Sequence, residues 1–467
     1  MQSCLASSIQ TCISSFIFSG RVRMSLAQTL NYSNTRSGVL VPVIGAAMSL
    51  PIVMFSLMGY DINPAFLLAP IIGVAFLMTF GRTALAYIAT MVFGLISIFA
   101  ANKISPDGDV IKHIFSLVLI MFAPSFLFLG KYVSKTHEIG KVFYWLSLFS
   151  ALFLIVVTTR ILYLEQDVRI YIGTQGLAAM NAEFFGLPVF ATFGVLSLAH
   201  LVCLQAVILC GTLIGGKASK PVSVLLWVAL FCASFLIIGS DSRSAQILLV
   251  WILGAVVVYA FRNADARRAC VVVILTILMA FAVTYARGMN ESRMLSSIEA
   301  IRTDSGNDVL AGYEPLGSPQ GQIVDKKWEK QADQFATGRV ELAIAGFNEV
   351  KASPIIGSGF AGYGRYSTEG LSKALEANTS THVYYLTLLW KGGLIFFIPI
   401  VVMLLLNLKA AIAVTKTTAR SAERFFAWAA VLMAFGPMAM AWDILIVPSA
   451  GALAFFLFGL LATTKKA

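Results

Sequence analysis

Residues 244–286 read SAQILLVWILGAVVVYAFRNADARRACVVVILTILMAFAVTYA. Two apolar runs, 244–261 and 269–286, flank a short turn that contains three arginines. Each run is long enough, as a helix, to cross about 30 Å of hydrocarbon. Because lipid cannot satisfy backbone N–H and C=O groups, such segments must be helical. The stretch therefore predicts two membrane-spanning helices joined by a basic turn.

Similar apolar runs recur along the whole chain. Hydrophobic residues make up 58% of the 467 residues and charged residues only 12%, whereas about a quarter of the residues of an ordinary soluble protein are charged. We predict an all-α polytopic membrane protein with about 12 transmembrane helices and one large, partly helical loop between spans 9 and 10. The predicted spans are 38–59, 63–81, 83–101, 111–130, 142–159, 187–212, 222–239, 244–261, 269–286, 381–407, 425–442 and 447–463.

The charged residues of the connections predict the orientation, because short cytoplasmic connections are rich in Lys and Arg. The predicted connections alternate between basic and acidic, so we place both termini in the cytoplasm and the large loop outside. That loop holds 12 acidic and 10 basic residues, and the rest of the chain carries +13. Cytoplasmic anchors beside anionic lipid explain this charge without nucleic-acid binding. The basic connections contain Arg82, Lys131, Lys135, Lys141, Lys217, Lys220, Arg262, Arg267, Arg268, Lys409, Lys416, Arg420 and Arg424, and the opposite ones contain Asp61, Asp107, Asp109, Glu165, Asp167, Glu183, Asp241 and Asp443.

These boundaries divide the chain into five segments. Loops that a rigid scaffold positions commonly carry function, so we expect the site to lie beside the large loop. The segments are a cytoplasmic N-terminal segment, 1–37, in which Met24 is an alternative start; spans 1–9, 38–286; the large loop, 287–380; spans 10–12, 381–463; and a cytoplasmic tail, 464–467.

The six cysteines lie in or beside apolar segments and lack metal-ligand spacing. We interpret them as small buried hydrophobic residues. The sequence thus indicates no disulfide framework, no metal site and no cofactor.

Arg243 is the first candidate functional residue. It ends an outward-facing turn and starts an apolar helix, and ionisable groups at membrane depth are costly. The dipole and free N–H groups of a helix start favour a bound anion. The alternative interpretation is an arginine that reaches lipid headgroups or pairs with Asp241.

Arg339 lies in the large loop, where apolar residues at helical spacing follow it and Thr337 is a suitable N-cap. Taken alone, Arg339 would better suit a solvated surface arginine. Further on, the glycines of residues 357–364 formally match GxGxxG, but no strand–helix unit surrounds them. A tight, backbone-dense turn beside the site is the better interpretation.

His382 stands where the chain re-enters the membrane. An ordinary histidine pKa of about 6.5 suits a base at neutral pH, although a packed interfacial histidine is the alternative. Two arginines bind a diphosphate well, and a histidine can deprotonate an attacking hydroxyl. Together, Arg243, Arg339 and His382 suit glycosyl transfer from a lipid-linked diphosphate sugar donor.

Four motifs in this order resemble the O-antigen ligase and polymerase superfamily of bacterial envelope enzymes. The resemblance covers about residues 240–400, and the predicted twelve-span layout with one large periplasmic loop agrees with it. Family members usually carry Asn after the histidine, and Val383 stands there instead. The motifs are residues 239–245 (GSDSRSA), Gly338-Arg339 with its helix, residues 353–360 (SPIIGSGF), and His382 followed by residues 391–394 (KGGL).

The resemblance implies a metal-independent, inverting glycosyltransferase of the inner membrane that works in the periplasm on undecaprenyl-diphosphate-linked glycan. By analogy, Arg243 and Arg339 bind the departing diphosphate, and His382 orients or deprotonates the acceptor hydroxyl. We expect O-antigen ligation to lipid A core. Polymerisation onto a second lipid-linked glycan, exopolysaccharide synthesis and protein O-glycosylation are alternatives within the class. A secondary transporter or lipid flippase is the alternative from another class.

Overall fold

The described residues of the protein are almost entirely helical, with two short antiparallel hairpins, β1–β2 and β3–β4. A computed structural model describes residues 38–57, 60–104, 110–163, 183–188, 195–216, 218–240, 242–286, 339–360, 381–418, 421–441, 443–446 and 448–463. The strands are β1 (Phe55–Leu57), β2 (Tyr60–Ile62), β3 (Glu183–Phe184) and β4 (Leu187–Pro188).

Fourteen α-helices occur in these residues, together with 3₁₀ turns at Pro64–Leu68 and Ala264–Ala266 and a π-helical segment at Ala434–Met438. The α-helices are α1 (Leu40–Ser49), α2 (Ala69–Met78), α3 (Arg82–Ile104), α4 (Val110–Thr136), α5 (Ile139–Tyr163), α6 (Val195–Gly215), α7 (Lys220–Gly239), α8 (Arg243–Arg262), α9 (Arg267–Ala286), α10 (Arg339–Ala352), α11 (Tyr384–Thr417), α12 (Ala422–Met433), α13 (Ala439–Ala441) and α14 (Pro448–Leu461).

Nine helices in the described part of the chain are long and apolar enough to cross a membrane. They are α3 to α9, α11, and α12 continued through α13, and each overlaps a predicted span. The chain is therefore a multi-pass helical membrane protein. Hydropathy finds these helices because a spanning helix needs about 20 mostly apolar residues in a row. The span predicted from 187 begins too early, since Leu187–Pro188 forms β4 and α6 begins at Val195.

The predicted count of twelve is not confirmed, because three predicted spans contain only shorter apolar helices: α1, α2 with its preceding 3₁₀ turn, and α14. The predicted span 38–59 is not one continuous helix, since α1 ends at Ser49 and the chain continues into β1. A helix of 10 residues is about 15 Å long, half the hydrocarbon thickness. Hydropathy counted the apolar residues of β1 as part of the span.

Other sequence-based predictions are not tested by the fold. Both ends of the chain, 1–37 and 464–467, lie outside the described residues, as do 287–338 and 361–380 of the predicted loop. The position of the large loop, the segment boundaries and the side on which the termini lie therefore stay predictions.

The last helix, α14, lies in the core and packs closely against α4. Phe455 and Phe456 of α14 are fully buried. A Cβ atom on Gly130 of α4 would overlap the Phe456 carbonyl oxygen and lie 2.9 Å from the Leu460 nitrogen. On the other side, a Cβ on Gly459 would overlap the Leu127 carbonyl oxygen. Small residues permit this backbone approach, which is a common way for membrane helices to associate.

We predict that Gly130→Ala destabilises the protein by about 1–3 kcal/mol, because the added methyl group must push α4 away from α14. The thermal unfolding midpoint of the purified protein in detergent measures the effect. Gly254→Ala in α8 is the matched control, since a Cβ there meets nothing within 4 Å. Equal midpoints for the two variants would contradict the proposed packing.

Candidate active site

Helix α11 is broken at Gly393, where the φ of 64° and ψ of −173° are not helical. Glycine adopts a positive φ without the steric cost that other residues meet. A break of this kind frees backbone N–H and C=O groups, which must be satisfied by protein when they lie at membrane depth. The chain supplies the partners from another segment.

The segment that follows α10 satisfies the groups freed by this break. We call residues 353–360 together with 390–395 the glycine interlock. A Cβ on Gly357 would lie 2.5 Å from both the Gly393 nitrogen and the Lys391 oxygen, so only a glycine permits this approach. The N–H groups of Leu394 and Ile395 donate to the carbonyl oxygens of Pro354 and Ile355 at 2.9 and 3.2 Å, and those of Ser358 and Gly359 donate to Trp390 and Lys391, both at 2.9 Å.

Two spanning helices, α3 and α4, also bond to residues of the interlock. The Ser97 hydroxyl of α3 donates to the Ile356 carbonyl oxygen. The Phe360 N–H donates to Nδ1 of His113, a buried residue of α4, at 3.0 Å. The Phe360 ring is fully buried and packs edge-on against Phe396, with the ring centroids 4.9 Å apart. Gly357, Gly359 and Phe360 are therefore buried against the bundle.

The interlock agrees with the backbone-dense turn expected from the glycine run. Gly357 and Gly359 have φ values of 70° and 86°, and both are buried. The remaining two glycines of the run, Gly362 and Gly364, lie outside the described residues.

His382 lies in a turn that immediately precedes α11. It is half-buried and has a φ of 55°, a left-handed conformation that costs a non-glycine residue about 1–3 kcal/mol. Such a conformation persists only where the surroundings enforce it. Here the Thr381 N–H donates to Oγ1 of Thr387 at 3.1 Å, and the Val383 N–H donates to Oγ1 of Thr381 at 3.3 Å. Both neighbours of His382 are thus held by threonine hydroxyls.

Helix α10 packs directly on this turn. A Cβ on Gly346 would overlap Cγ2 of Thr381 and lie 3.6 Å from Cδ2 of Leu386. Arg339 is the first residue of α10, which places its backbone roughly 10 Å along the helix axis from Gly346. The predicted helix after Arg339 is therefore present and meets the His382 turn, whereas the Arg339 side chain lies outside the described residues.

Arg243 is the first residue of α8, as predicted. The preceding Ser242 caps the helix, since its hydroxyl accepts from the Ala245 N–H at 3.4 Å. The Arg243 side chain is half-buried, while its predicted alternative partner Asp241 lies outside the described residues. A cationic side chain is therefore added to the partial positive charge of a helix start, where an anion is favoured.

Helix α8 contacts the π-helical segment Ala434–Met438, which in turn bonds to the start of α11. The Tyr385 hydroxyl donates to the Phe435 carbonyl oxygen at 2.6 Å. Segments with π-helical geometry are frequent at functional sites. The structure therefore joins α10 directly to the His382 turn, and it joins α8 to the same turn through the π-helical segment.

Lys391 is a charged residue whose environment the sequence did not reveal. It is 1% exposed, and its Nζ lies 3.8 Å from the centroid of the Trp390 ring, within cation–π range. Burial disfavours its charged form, and the carboxylates of Asp443 and Glu349 favour that form without outweighing the burial. Because Glu349 belongs to α10 and Asp443 follows α13, Lys391 connects three parts of the site region.

Sequence reasoning missed His113, Thr387 and Asp443 as parts of this region. His113 offered one signal, a histidine close to the start of an apolar run. Thr387 and Asp443 offered less, because threonine is common in membrane helices and an acidic residue suits an outward-facing turn. Only their contacts across long sequence separations identify them.

Fold and site together define a multi-pass membrane protein in which buried polar and charged groups surround a histidine turn. Residues 228–401 match a family model described as O-antigen ligase. This part of the chain is therefore similar to the O-antigen ligase family. The matched domain runs from α7 into α11 and contains Arg243, Arg339, the glycine interlock and His382. No curated protein matches the chain significantly.

This match confirms the resemblance inferred from the four motifs. The family is one of bacterial envelope proteins, and it implies a glycosyltransferase that acts on lipid-linked glycan. The match ends at residue 401, so Asp443 and helices α12 to α14 lie beyond it.

We predict that Gly393→Ala disrupts the interlock, because the new Cβ would overlap the Ile355 carbonyl oxygen and φ is positive there. The expected loss is about 1–3 kcal/mol, as for an overpacked core. Thermal unfolding and faster hydrogen exchange over residues 353–360 report it. Gly436→Ala is the control, since a Cβ there meets nothing within 4 Å. If Gly393→Ala matches this control in both measurements, the interlock does not stabilise the fold.

Proposed function

We propose that this protein transfers glycan from an undecaprenyl-diphosphate-linked donor to an acceptor hydroxyl in the periplasm, and that the reaction is O-antigen ligation to lipid A core. The single observation that carries the proposal is the family match, which spans all three proposed site residues, Arg243, Arg339 and His382. The positions of these residues at the starts of α8, α10 and α11 support it.

The two arginines are proposed to bind the donor diphosphate. Arg243 adds a guanidinium group to a helix N-terminus, and Arg339 begins a second helix. A guanidinium presents a planar fork of donors that matches phosphate oxygens. When the sugar leaves, charge develops on the diphosphate, and fixed positive groups stabilise it in the transition state. Two arginines thus provide the charge compensation that makes a metal-independent reaction reasonable.

His382 is proposed to act on the acceptor. Its imidazole would accept the proton of the acceptor hydroxyl while that oxygen attacks the anomeric carbon of the donor sugar. The bond between this carbon and the diphosphate oxygen breaks as the new glycosidic bond forms. Attack opposite the leaving group inverts the configuration, undecaprenyl diphosphate departs, and the proton remains on His382 until it is lost to water.

The proposed compartment rests on the charge pattern of the connections. Basic residues in one set of turns favour cytoplasmic termini and a periplasmic site. The donor glycan is already attached to its lipid carrier, so the reaction needs no nucleotide sugar.

The acceptor separates the alternatives within the family. A ligase uses lipid A core, whereas an O-antigen or exopolysaccharide polymerase extends a second lipid-linked glycan. A transporter or flippase is less well supported, because the family implies a glycosyltransferase. The broken helix α11 resembles the discontinuous helices of transporters, but its freed main-chain groups bond to residues 354–359 and are used within the fold.

We predict that Arg243→Ala and Arg339→Ala each lower kcat by about 10²–10³-fold, the usual loss when one group that stabilises transition-state charge is removed. Lysine at either position keeps the charge but not the planar fork, so it restores only part of the rate. Transfer by purified protein to lipid A core, followed as released undecaprenyl diphosphate, measures these effects.

Two substitutions serve as matched controls for this series. Arg262→Ala removes an exposed arginine from the opposite end of α8, and His137→Ala removes a half-buried histidine between α4 and α5. Both should keep the wild-type rate, while His382→Ala should lower kcat and leave donor affinity unchanged. A fully active Arg243→Ala or His382→Ala protein would remove the basis of the proposed site.

A competition experiment identifies the acceptor. Wild-type protein receives undecaprenyl-diphosphate glycan together with lipid A core and a second lipid-linked glycan in equal amounts. We expect glycan joined to lipid A core. Elongated lipid-linked glycan would instead identify a polymerase, and intact donor with neither product would contradict the glycosyltransferase proposal.

A further inference from the structure

The hydrogen bonds around His382 continue beyond the turn to a buried carboxylate. The Thr387 hydroxyl of α11 donates to Oδ2 of Asp443 at 3.1 Å, and Asp443 is 4% exposed. The same Thr387 oxygen lies 2.8 Å from Oγ1 of Thr381. Thr381 and Thr387 are themselves fully buried, so water does not compete for these bonds.

The number of protons on each hydroxyl shows which of these hydrogen bonds has a fixed donor. A hydroxyl has one proton, and Thr387 donates its proton to Asp443. The Thr387 oxygen then accepts from the Thr381 N–H at 3.1 Å. The Thr381 hydroxyl has two acceptors within reach, the Thr387 oxygen at 2.8 Å and the Val383 carbonyl oxygen at 3.1 Å. The Thr381 oxygen accepts in turn from the Val383 N–H. The hydrogen-bond chain therefore links Val383 to Thr381, Thr381 to Thr387, and Thr387 to Asp443.

The hydrogen-bond chain includes the residues on both sides of His382. It holds the amide before His382 through Thr387 and the amide after it through Thr381. The Val383 N–H belongs to the peptide that directly follows His382, and the Thr381 N–H belongs to the peptide one residue before it. The two bonds thus hold the turn on both sides of a left-handed conformation that His382 would not adopt freely. Gly346 of α10 packs on the methyl group of Thr381, which blocks the turn from moving in that direction.

We infer that Thr387, anchored by Asp443, is a positioning residue that holds the His382 imidazole in its working orientation. The inference rests on the proposed function of His382 and adds two residues to which the motifs assign no role, Thr387 and Asp443. Asp443 lies beyond the matched domain. Thr387 does not need to touch either substrate. It acts through the backbone of the turn.

Thr387 gives a cleaner test than Asp443. The Asp443 carboxylate also stabilises the charge of Lys391, so Asp443→Asn would disturb two interactions at once. Thr387→Val keeps the shape of the side chain and removes the hydroxyl. Thr90→Val in α3 is the matched control, because Thr90 is fully buried and its hydroxyl donates to the Ala86 carbonyl oxygen of its own helix at 2.8 Å.

For Thr387→Val we expect kcat to fall about 10–100-fold, the loss that a misplacement of about 1 Å produces. The KM for the donor should change by less than about threefold, because the diphosphate groups are untouched. Thr387→Ser restores the hydroxyl and should restore most of kcat. Thr90→Val should match the wild type in both constants.

A double-mutant cycle tests whether Thr381 and Thr387 act through one hydrogen-bond chain or affect kcat independently. If Thr381 and Thr387 act in one chain, the variant that carries both Thr381→Val and Thr387→Val should lose about as much kcat as Thr387→Val alone. Losses that multiply, or a wild-type kcat in Thr387→Val, would overturn the inference.

Hydrogen exchange tests the same chain without any assay of transfer. In Thr387→Val, the amides of Thr381 and Val383 should exchange at least about tenfold faster than in the wild type and in Thr90→Val. Unchanged exchange would overturn the inference even if the wild-type protein is active. An inactive wild type with the expected exchange would instead contradict the proposed function and leave the positioning of the turn supported.

Discussion

A helix that breaks among membrane spans leaves backbone groups that hydrocarbon cannot satisfy, and this constraint organises the site region. Each unsatisfied group would cost several kcal/mol at membrane depth. The break at Gly393 is tolerated because residues 354–359 supply the missing partners. Both segments need glycine where they cross, since a Cβ on Gly357 or Gly393 would collide with the backbone of the other segment. The break and its partner segment must therefore form together.

This interlock determines where α10 ends. Residue 353 follows the helix at once, and the Ser353 hydroxyl donates to the Gly357 carbonyl oxygen at 2.9 Å. Further back along α10, Gly346 lies against Thr381. The helix is thus fixed at its C-terminal end by the interlock and near its middle by the His382 turn. Arg339, at the opposite end, is carried on a helix whose direction these two contacts set.

The sequence predicted the parts of the molecule that depend on local composition. Nine long helices, the helix start at Arg243 and the helix after Arg339 follow from hydropathy, spacing and capping. The hairpin β1–β2 was missed, since its apolar residues resemble a continued span. Thr387 and Asp443 could not be foreseen, because their 3.1 Å hydrogen bond joins residues 56 positions apart. Motifs name candidate residues, whereas contacts at this separation decide how those residues are held.

The distribution of these contacts bears on what the matched domain can do alone. Residues 228–401 contain the proposed diphosphate and acceptor groups, but the carboxylate that terminates the hydrogen-bond chain follows α13. The π-helical segment that receives the Tyr385 hydroxyl also lies beyond residue 401. Ser97 and His113, which hold the interlock, precede residue 228. The matched domain contains the proposed diphosphate and acceptor groups, and the helices before and after it bond to the backbone that positions them.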